Sequence, residues 1–390
     1  MKVLLIGDYR LPFLYRLVSL LHEEVEFGIL WWKRYAEDYD EFRHKYKRLD
    51  ARFHLLHDQN LHILSRMFIR NRFFKSVVLQ YDVINLHAFG FGILPFVLKE
   101  RCIRKIPLVV TMWGGSDLFR SEFTGRRSFI EYLLIRETYK KADIITVPSK
   151  YHAELVDRKF SIHGNYVYTV FPTDLVGRKE SDIREFMREW HIPRGKIVIS
   201  IGYKLHFSTN WDYENVIAAI NNIPEEYRKK IIVCFPVGHA ALFSYNERLL
   251  KLKEMLKKNA LFEYRVIDKF LSREMLWAYR YLTDIFVLTY KLDSFSSSLQ
   301  EALYAGSVVI TGSWLPYREI IDRGGYMEFV HSQKPGELTQ KLLYVMDNLE
   351  KLKYRAKSNR QVIAQINDLS RVRYNWLTAY SLAMKGREEK

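Results

Sequence analysis

The chain has 390 residues, of which 48% are hydrophobic, and this is enough for two domains with substantial cores. Its net charge of +16 predicts an anionic partner, such as a nucleotide diphosphate or an anionic lipid surface. Only Cys102 and Cys234 are present, which excludes a disulfide scaffold and favours a reducing compartment. Because no apolar run approaches the roughly 20 residues of a membrane span, we expect a cytoplasmic protein.

Short apolar runs that end in glycine or polar residues recur through the first half of the chain. Each has the composition of a buried parallel strand, and ligands of open α/β sheets bind at the carboxyl ends of such strands. The runs and the residues that follow them are Val3–Ile6 with Gly7, Val83–Leu86 with His87, Pro107–Met112 with Trp113–Asp117, and Ala142–Val147 with Pro148–Ser149. A histidine at a strand end is more often a packed residue than a catalyst, so the sequence leaves both roles open for His87.

The pattern of a first strand ending in glycine occurs a second time, at Lys196–Gly202. Two α/β domains, each opening with its own strand, are the simplest explanation. The polar stretch Asp174–Arg194 is predicted to hold the junction between them. Lys204 follows the second glycine, and a cation there suits a diphosphate, although one more surface lysine is the alternative. Further along, Ser272 in the stretch Asp268–Ser272 has the character of a helix N-cap.

The segment Tyr281–Glu319 contains a strand, a loop, a short helix and a second strand. Ile285–Leu288 and Val308–Ile310 have the composition of buried strands, and the serines before Leu299 are N-cap residues of the helix between them. Unpaired N–H groups at a helix N-terminus favour an anion. Seven residues separate Asp293 from Glu301. Glu301 also follows Ser298 by three residues, so a plain capping box is the alternative to a binding role.

This acid spacing resembles the E-x7-E signature of retaining GT-B glycosyltransferases, especially family 4. Asp293 stands where the family usually has Glu, and Ser296 stands where it usually has Gly. Three other stretches resemble the same enzymes in the same chain order. They are Asp82–His87, similar to the strand that ends in a histidine beside the reacting sugar, Trp113–Asp117, similar to the "HG-x-D" or "WGSD" loop, and Lys141–Ser149, similar to the "ADxIIxxS" strand.

The resemblance implies an α/β fold of two Rossmann-like domains that face a cleft. Residues 1–173 would form the acceptor-side domain, and residues 174–370 would form the donor-side domain. The last helix, in residues 371–390, would cross back to the N-terminal domain. Apolar residues occur there at roughly helical spacing, namely Val372, Trp376, Leu377, Tyr380 and Leu382.

The resemblance also assigns roles to residues. His87 and Asp293 would flank the transferred sugar as the catalytic pair, and Glu301 would hold the ribose of the nucleotide. The remaining donor-binding residues would be Gly202, Lys204, Phe270, Leu271, Phe295, Ser296, Ser297, Ser298 and Leu299, and the acceptor-side residues would be Gly7, Trp113, Gly114 and Asp117. Asn210 and Trp211 occupy the place of the family's second cation.

The implied reaction is transfer of a sugar from a nucleotide-diphosphate-sugar donor to a glycan or lipid-linked acceptor, as in polysaccharide biosynthesis. No metal or other cofactor is expected, because helix ends and cations replace it in GT-B transferases. A nucleotide-sugar 2-epimerase of the same fold and a non-catalytic sugar-binding subunit are the alternatives. The segment Arg66–Lys75 mixes cations with aromatic residues and suits an anionic membrane surface at the inner face, or else a solvated helix. No nucleic-acid motif accompanies the charge.

Overall fold

The computed structural model describes residues 1–7, 12–31, 39–55, 63–87, 93–112, 126–202, 213–238, 246–291, 293 and 295–388. Contacts divide the chain into two compact units, Met1–Pro172 with Asn367–Lys390, and Thr173–Ile366. Each unit contains a parallel sheet flanked by helices. Among the described residues, no helix combines the length and apolar character needed to span a membrane.

In the described part of the first unit, seven strands form one parallel sheet in the order β3-β2-β1-β4-β5-β6-β7. The register pairs Val3 of the interior strand β1 with Phe27 on one side and Val83 on the other. The apolar runs found in the sequence are therefore interior strands buried on both faces. The strands are β1 (Lys2–Ile6), β2 (Glu26–Trp31), β3 (Arg52–Leu55), β4 (Val83–Leu86), β5 (Leu108–Thr111), β6 (Ile144–Val147) and β7 (Tyr166–Tyr168).

Helices connect these strands by crossovers. The steps from β4 through β7 all move in one direction across the sheet, so right-handed crossovers place their helices side by side on one face. The step from β1 to β2 moves the other way and places its helix on the opposite face. The helices are α1 (Pro12–Leu21), α2 (Tyr39–Lys47), α3 (Ile63–Val78), α4 (Leu94–Arg104), α5 (Arg126–Lys140) and α6 (Lys150–Phe160).

The second unit repeats this plan with a parallel sheet of six described strands in the order β10-β9-β8-β11-β12-β13. The strands are β8 (Ile197–Ile201), β9 (Ile231–Pro236), β10 (Tyr264–Ile267), β11 (Ile285–Leu288), β12 (Val308–Gly312) and β13 (Glu328–Val330). The helices are α7 (Glu180–Glu189), α8 (Tyr213–Asn221), α9 (Glu225–Arg228), α10 (Asn246–Asn259), α11 (Arg273–Leu282), α12 (Ser297–Ala305), α13 (Arg318–Asp322), α14 (Pro335–Asp347), α15 (Leu349–Ala356) and α16 (Ser358–Ile366).

The polar stretch Asp174–Arg194 is more than a junction. Its central part forms α7, whose Ile183 and Phe186 are buried in one core cluster with Tyr279 of α11. The sequence predicted only that this stretch holds the junction, but two apolar residues three positions apart are enough to give a mostly polar helix a buried face.

The C-terminal helix, α17 (Leu369–Glu388), packs along β4 to β7 of the first unit. Val372, Trp376 and Tyr380 lie on its buried face, as their spacing predicts. Leu382 is 43% exposed, so its inclusion in the apolar face was wrong. Two residues after Tyr380, it lies about 200° around the helix.

A buried row of polar side chains joins α17 to the sheet. The Asn85 amide nitrogen donates a 2.8 Å hydrogen bond to the Tyr380 hydroxyl, and the Thr111 hydroxyl donates one of 2.8 Å to the Asn85 amide oxygen. Thr146 donates in turn to the Thr111 hydroxyl at 2.9 Å. The row therefore crosses three neighbouring strands and ends on the helix. Because buried polar groups must be hydrogen-bonded, it specifies where α17 sits.

Replacing Tyr380 by Phe removes the acceptor for the Asn85 amide and leaves that amide buried. We expect the free energy of unfolding to fall by about 1–3 kcal/mol, measured by urea denaturation. Tyr374→Phe on the same helix is the matched control, because Tyr374 is 70% exposed. Equal midpoints for the two variants would show that the hydrogen bond to Tyr380 contributes nothing.

Candidate active site

The carboxyl edge of the second sheet brings two glycines close to neighbouring backbone. Gly202 follows β8 with φ of 60°, a left-handed conformation that favours glycine, and its N–H donates to the Val287 carbonyl at 2.9 Å. Gly238 follows β9, and a Cβ placed there would lie 2.1 Å from the Lys269 carbonyl oxygen. Any larger residue would push the loop after β10 away. Nothing in the local sequence marks Gly238, because only the tertiary structure brings Lys269 close to it.

The helix α12 starts at this edge, between β11 and β12. Ser296 is its N-cap, and the Ser296 hydroxyl accepts from the Leu299 N–H at 3.2 Å. The first-turn N–H groups that a helix leaves without a carbonyl partner belong here to Ser297, Ser298 and Leu299. Since the cap occupies the Leu299 amide, Ser297 and Ser298 are the amides best placed for an anion. The alternative capping box between Ser298 and Glu301 was wrong, because the cap is Ser296 and Glu301 is engaged elsewhere.

Glu301 lies on α12 with its side chain 6% exposed, and it forms an ion pair with Arg280 of α11. The Arg280 Nε donates to the Glu301 carboxylate at 3.1 Å, and the arginine side chain is 3% exposed. The Arg280 guanidinium also lies over the rings of Tyr279 and Phe286. A buried carboxylate requires such a partner, because desolvation of an isolated charge is prohibitive. Arg280 therefore orients Glu301 and compensates its charge.

Asp293 lies before α12 and accepts a 2.7 Å hydrogen bond from the Tyr317 hydroxyl. Tyr317 is fully buried, and burial, followed by the Asp293 charge and this hydrogen bond, raises the pKa of Tyr317 well above its ordinary value. The same ring lies 6.1 Å from the ring of Phe295. One side chain thus contacts both predicted residues, Asp293 and Phe295, from the loop after β12.

A second aromatic residue of that loop supports the same segment. The Trp314 indole N–H donates to the Tyr290 carbonyl at 2.8 Å, and a Cβ at Gly312 would lie 2.4 Å from the indole ring. Sequence reasoning gave no role to Trp314, Tyr317 or Arg280. The only hint in the sequence is that Trp314 and Tyr317 come shortly after a predicted strand, where ligand-binding loops of α/β sheets occur.

The loop after β10 supplies the other predicted donor residues. Ser272 caps α11, as predicted, with its hydroxyl accepting from the Met275 N–H at 3.2 Å. Phe270 is 57% exposed, whereas Leu271 packs against the core cluster of α7 and α11. The exposed ring of Phe270 offers a stacking surface for a planar base. Leu271 supports the loop from beneath.

His87 and Gly7 lie side by side in the first unit, after the neighbouring strands β4 and β1. A Cβ at Gly7 would lie 2.9 Å from the Leu14 Cδ1 and 3.2 Å from the His87 Cβ, so the glycine allows a close approach of these side chains. The His87 ring is 2% exposed and lies 5.8 Å from the Phe171 ring and 6.0 Å from the Trp376 ring. Burial lowers the pKa of His87 to about 3, so its imidazole is neutral at physiological pH. A contact with a sugar stays a prediction for this residue.

Several predicted residues lie outside the described part of the chain, namely Lys204, Trp113, Gly114 and Asp117, together with Asn210 and Trp211. Their roles stay predictions. Among the described residues, no group of three or more His, Cys, Asp or Glu side chains is arranged to hold a metal ion.

Residues 182–362 match the family model for glycosyl transferases group 1. These residues are a group 1 glycosyltransferase domain. The match includes most of α7, together with Arg280, Asp293 and α12. It confirms the prediction of a glycosyltransferase from the residues around the acid pair. Among curated proteins, no sequence matches the chain significantly.

Solved structures show the same fold over nearly the whole chain. HepE of Anabaena, solved in complex with UDP and glucose, is 14% identical with a TM-score of 0.74, covering 98% of this chain and 99% of that one. Sucrose-phosphate synthase of Thermosynechococcus elongatus is 11% identical with a TM-score of 0.74, covering 99% and 100%. A glycosyltransferase of Rickettsia africae is 11% identical with a TM-score of 0.70, covering 98% of each chain. The predicted GT-B fold is confirmed.

Removing one partner of the Arg280–Glu301 pair should destabilise the protein strongly. Arg280→Met leaves the Glu301 carboxylate buried and uncompensated, and we expect a loss of about 3–5 kcal/mol in the free energy of unfolding. Adding Glu301→Gln to that variant should recover much of the loss. Arg178→Met is the control, because Arg178 pairs with Glu180 in an exposed position and such pairs contribute about 0–1 kcal/mol. Additive effects in the double variant would contradict the pairing.

Two buried histidines predict acid sensitivity. Burial lowers the pKa of both His87 and His152 to about 3, against 6.5 for an unfolded chain. Between these values the unfolded state binds more protons than the native state, so stability is complete above pH 6.5 and is lost as the pH falls toward 3. Each histidine should contribute a slope of about 1.4 kcal/mol per pH unit in that window.

Urea denaturation from pH 7 down to the acid limit of folding checks this slope. His152→Asn should reduce the dependence on pH, whereas His22→Gln should leave it unchanged, since His22 is exposed. If the free energy of unfolding of His152→Asn depends on pH as steeply as that of the unchanged protein, other groups cause the acid sensitivity.

Proposed function

We propose that the protein transfers a sugar from a nucleotide-diphosphate-sugar donor to an acceptor hydroxyl with retention of anomeric configuration. The proposal rests on the arrangement at the carboxyl edge of the second sheet. There, a capped helix N-terminus lies between Asp293 and the buried Glu301, and both acids are within the residues that match the group 1 glycosyltransferase model. The bond from the sugar C1 to the donor phosphate would break, and a bond from C1 to the acceptor oxygen would form. The nucleotide diphosphate would leave with both electrons of the broken bond, and its departing phosphate oxygen would take up the proton that the acceptor hydroxyl loses.

Each part of the proposed donor site has a chemical task. The amides of Ser297 and Ser298 would hold the diphosphate as it gains charge, which is most effective when the donors are already in place. Glu301, held by Arg280, would accept hydrogen bonds from the ribose hydroxyls. Phe270 would stack on the base. HepE was solved with UDP and with UDP-glucose, which makes UDP the first nucleotide to test.

Asp293 and His87 would act on the transferred sugar. Tyr317 holds the Asp293 carboxylate through a hydrogen bond and would orient it toward the sugar. A histidine whose pKa is about 3 is neutral at physiological pH, so the role proposed for His87 is a hydrogen bond and not delivery of a proton from an imidazolium. A glycan or lipid-linked acceptor, as in polysaccharide biosynthesis at the inner face of the membrane, completes the proposal.

Neutralising each carboxylate should separate binding from chemistry. Glu301→Gln should weaken UDP binding by about 10- to 100-fold, the loss expected for a hydrogen bond to a charged group. Asp293→Asn should lower kcat by on the order of a hundredfold while the Kd of UDP stays unchanged, because it would contact only the reacting sugar. Tyr317→Phe should lower kcat about tenfold by releasing the Asp293 carboxylate.

Calorimetric titration of UDP beside initial rates of UDP-sugar turnover makes these measurements. Asp322→Asn is the matched control, since it neutralises an exposed carboxylate on the nearby α13. Normal UDP affinity in folded Glu301→Gln would remove the ribose assignment. Turnover that requires an added acceptor supports transfer, whereas isomerised donor without an acceptor supports an epimerase. If the protein binds UDP but turns over none of a panel of nucleotide-sugar donors, the result supports a non-catalytic sugar-binding subunit.

A further inference from the structure

The segment Arg66–Lys75, which the sequence suggested for a membrane surface, turns part of its apolar content inward. Phe74 is fully buried, and Phe73 packs against the same core. Of this segment, the structure describes the side chains from Arg70 onward. Both described aromatic rings contribute to the core of the first unit, and Phe74 is unavailable to lipid.

Exposed apolar side chains occur instead on the neighbouring helices α4 and α5. Phe129 is 62% exposed and Ile130 is 48% exposed, both near the start of α5, and Leu133 at its middle is 37% exposed. Ile103, near the end of α4, is 65% exposed. Single exposed apolar residues are ordinary, but three within five positions of one helix form a patch that favours a partner.

A basic cavity lies at the C-terminal ends of the same two helices. Its volume is about 300 Å³, and it is lined by Arg101, Cys102, Lys105, Lys140, Lys141, Ala142 and Gly386. Arg101 is already engaged, since its guanidinium forms an ion pair with Asp143 and donates to the Lys141 and Ile106 carbonyls. The three lysines are exposed, and in the described part of the chain no carboxylate pairs with them. The cavity therefore presents three uncompensated positive charges.

The patch and the cavity lie along one helix. Leu133 and Lys140 are seven residues apart on α5, which places them on the same side of the helix and about 10 Å apart along its axis. Glu137 lies between them, and the three lysines outnumber its single charge. A partner with an anionic surface layer above an apolar interior could contact the lysines and the apolar side chains at once. Anionic lipid has that chemistry, with acyl chains for the aromatic and aliphatic residues and phosphates for the lysines.

We propose that the surface formed by Ile103, Phe129, Ile130, Leu133 and the three lysines of the cavity, Lys105, Lys140 and Lys141, docks the protein on an anionic lipid bilayer. The apolar residues enter the boundary between headgroups and acyl chains, and the cavity receives a lipid phosphate. This inference deepens the peripheral location in the proposed function, and it names the face that meets the membrane. Its test measures binding alone, so it fails or succeeds independently of sugar transfer.

The test is co-sedimentation of the full chain with vesicles of phosphatidylcholine alone and of equimolar phosphatidylcholine and phosphatidylglycerol. We expect binding to the anionic vesicles that falls with added salt. The variant K105Q/K140Q/K141Q should bind them more weakly by on the order of a hundredfold. K257Q/K258Q/K351Q is the matched control, since it makes the same change in net charge on exposed lysines of the second unit and should bind almost normally.

The apolar half of the surface is tested separately. F129S/I130S should lose most binding, whereas L250S/L261S, which changes residues 60% and 65% exposed in the second unit, should retain it. Equal binding to neutral vesicles, or equal losses in the two lysine variants, would overturn the proposal. A concentration-dependent dimer that F129S/I130S abolishes would overturn it in favour of self-association. Thermal melting shows that each variant is folded, and UDP-sugar turnover without vesicles reports on the proposed function independently.

Discussion

The candidate donor site depends on the parallel pairing of β8, β11 and β12. Parallel strands point their carboxyl ends at one edge, and each must be followed by a crossover that returns the chain to the opposite edge. The helix α12 therefore begins where β8 ends in Gly202 and where the loop after β12 starts. This constraint brings the turn at Gly202 close to a helix N-terminus and two acidic residues that lie much later in the sequence. No single interaction within the loop could do this.

The two acids of the site are held in different ways, and the difference suits their proposed roles. Glu301 is buried against Arg280, so its carboxylate has one fixed orientation and a compensated charge. Asp293 is only partly buried and receives its hydrogen bond from the neutral Tyr317 hydroxyl. A neutral donor orients a carboxylate without cancelling its charge. Glu301 would thus suit a fixed ribose, whereas Asp293, which accepts a hydrogen bond from a neutral hydroxyl, would suit the transferred sugar.

The first unit combines a packed histidine with a buried polar row beneath one helix. Trp376 of α17 covers the His87 ring, while Tyr380, one turn later, accepts from Asn85 two residues before that histidine. The position of α17 and the environment of His87 are therefore coupled through β4. A shift of this helix would change the solvent access of His87, and with it the cause of the lowered pKa.

The sequence by itself determined the class of fold, the order of the strands that end at the site, the cap at Ser272 and the acid spacing of Asp293 and Glu301. These features follow from local chemistry, namely apolar runs, glycine stops and serine caps, which are legible one segment at a time. The tertiary structure alone decided that Arg280 pairs with Glu301, that Tyr317 holds Asp293 and that Ser296 is the cap. It also decided that α7 packs within a polar stretch and that Leu382 faces outward. Such outcomes depend on which side chains become neighbours after folding, because burial and charge compensation are properties of a shared environment and not of one segment.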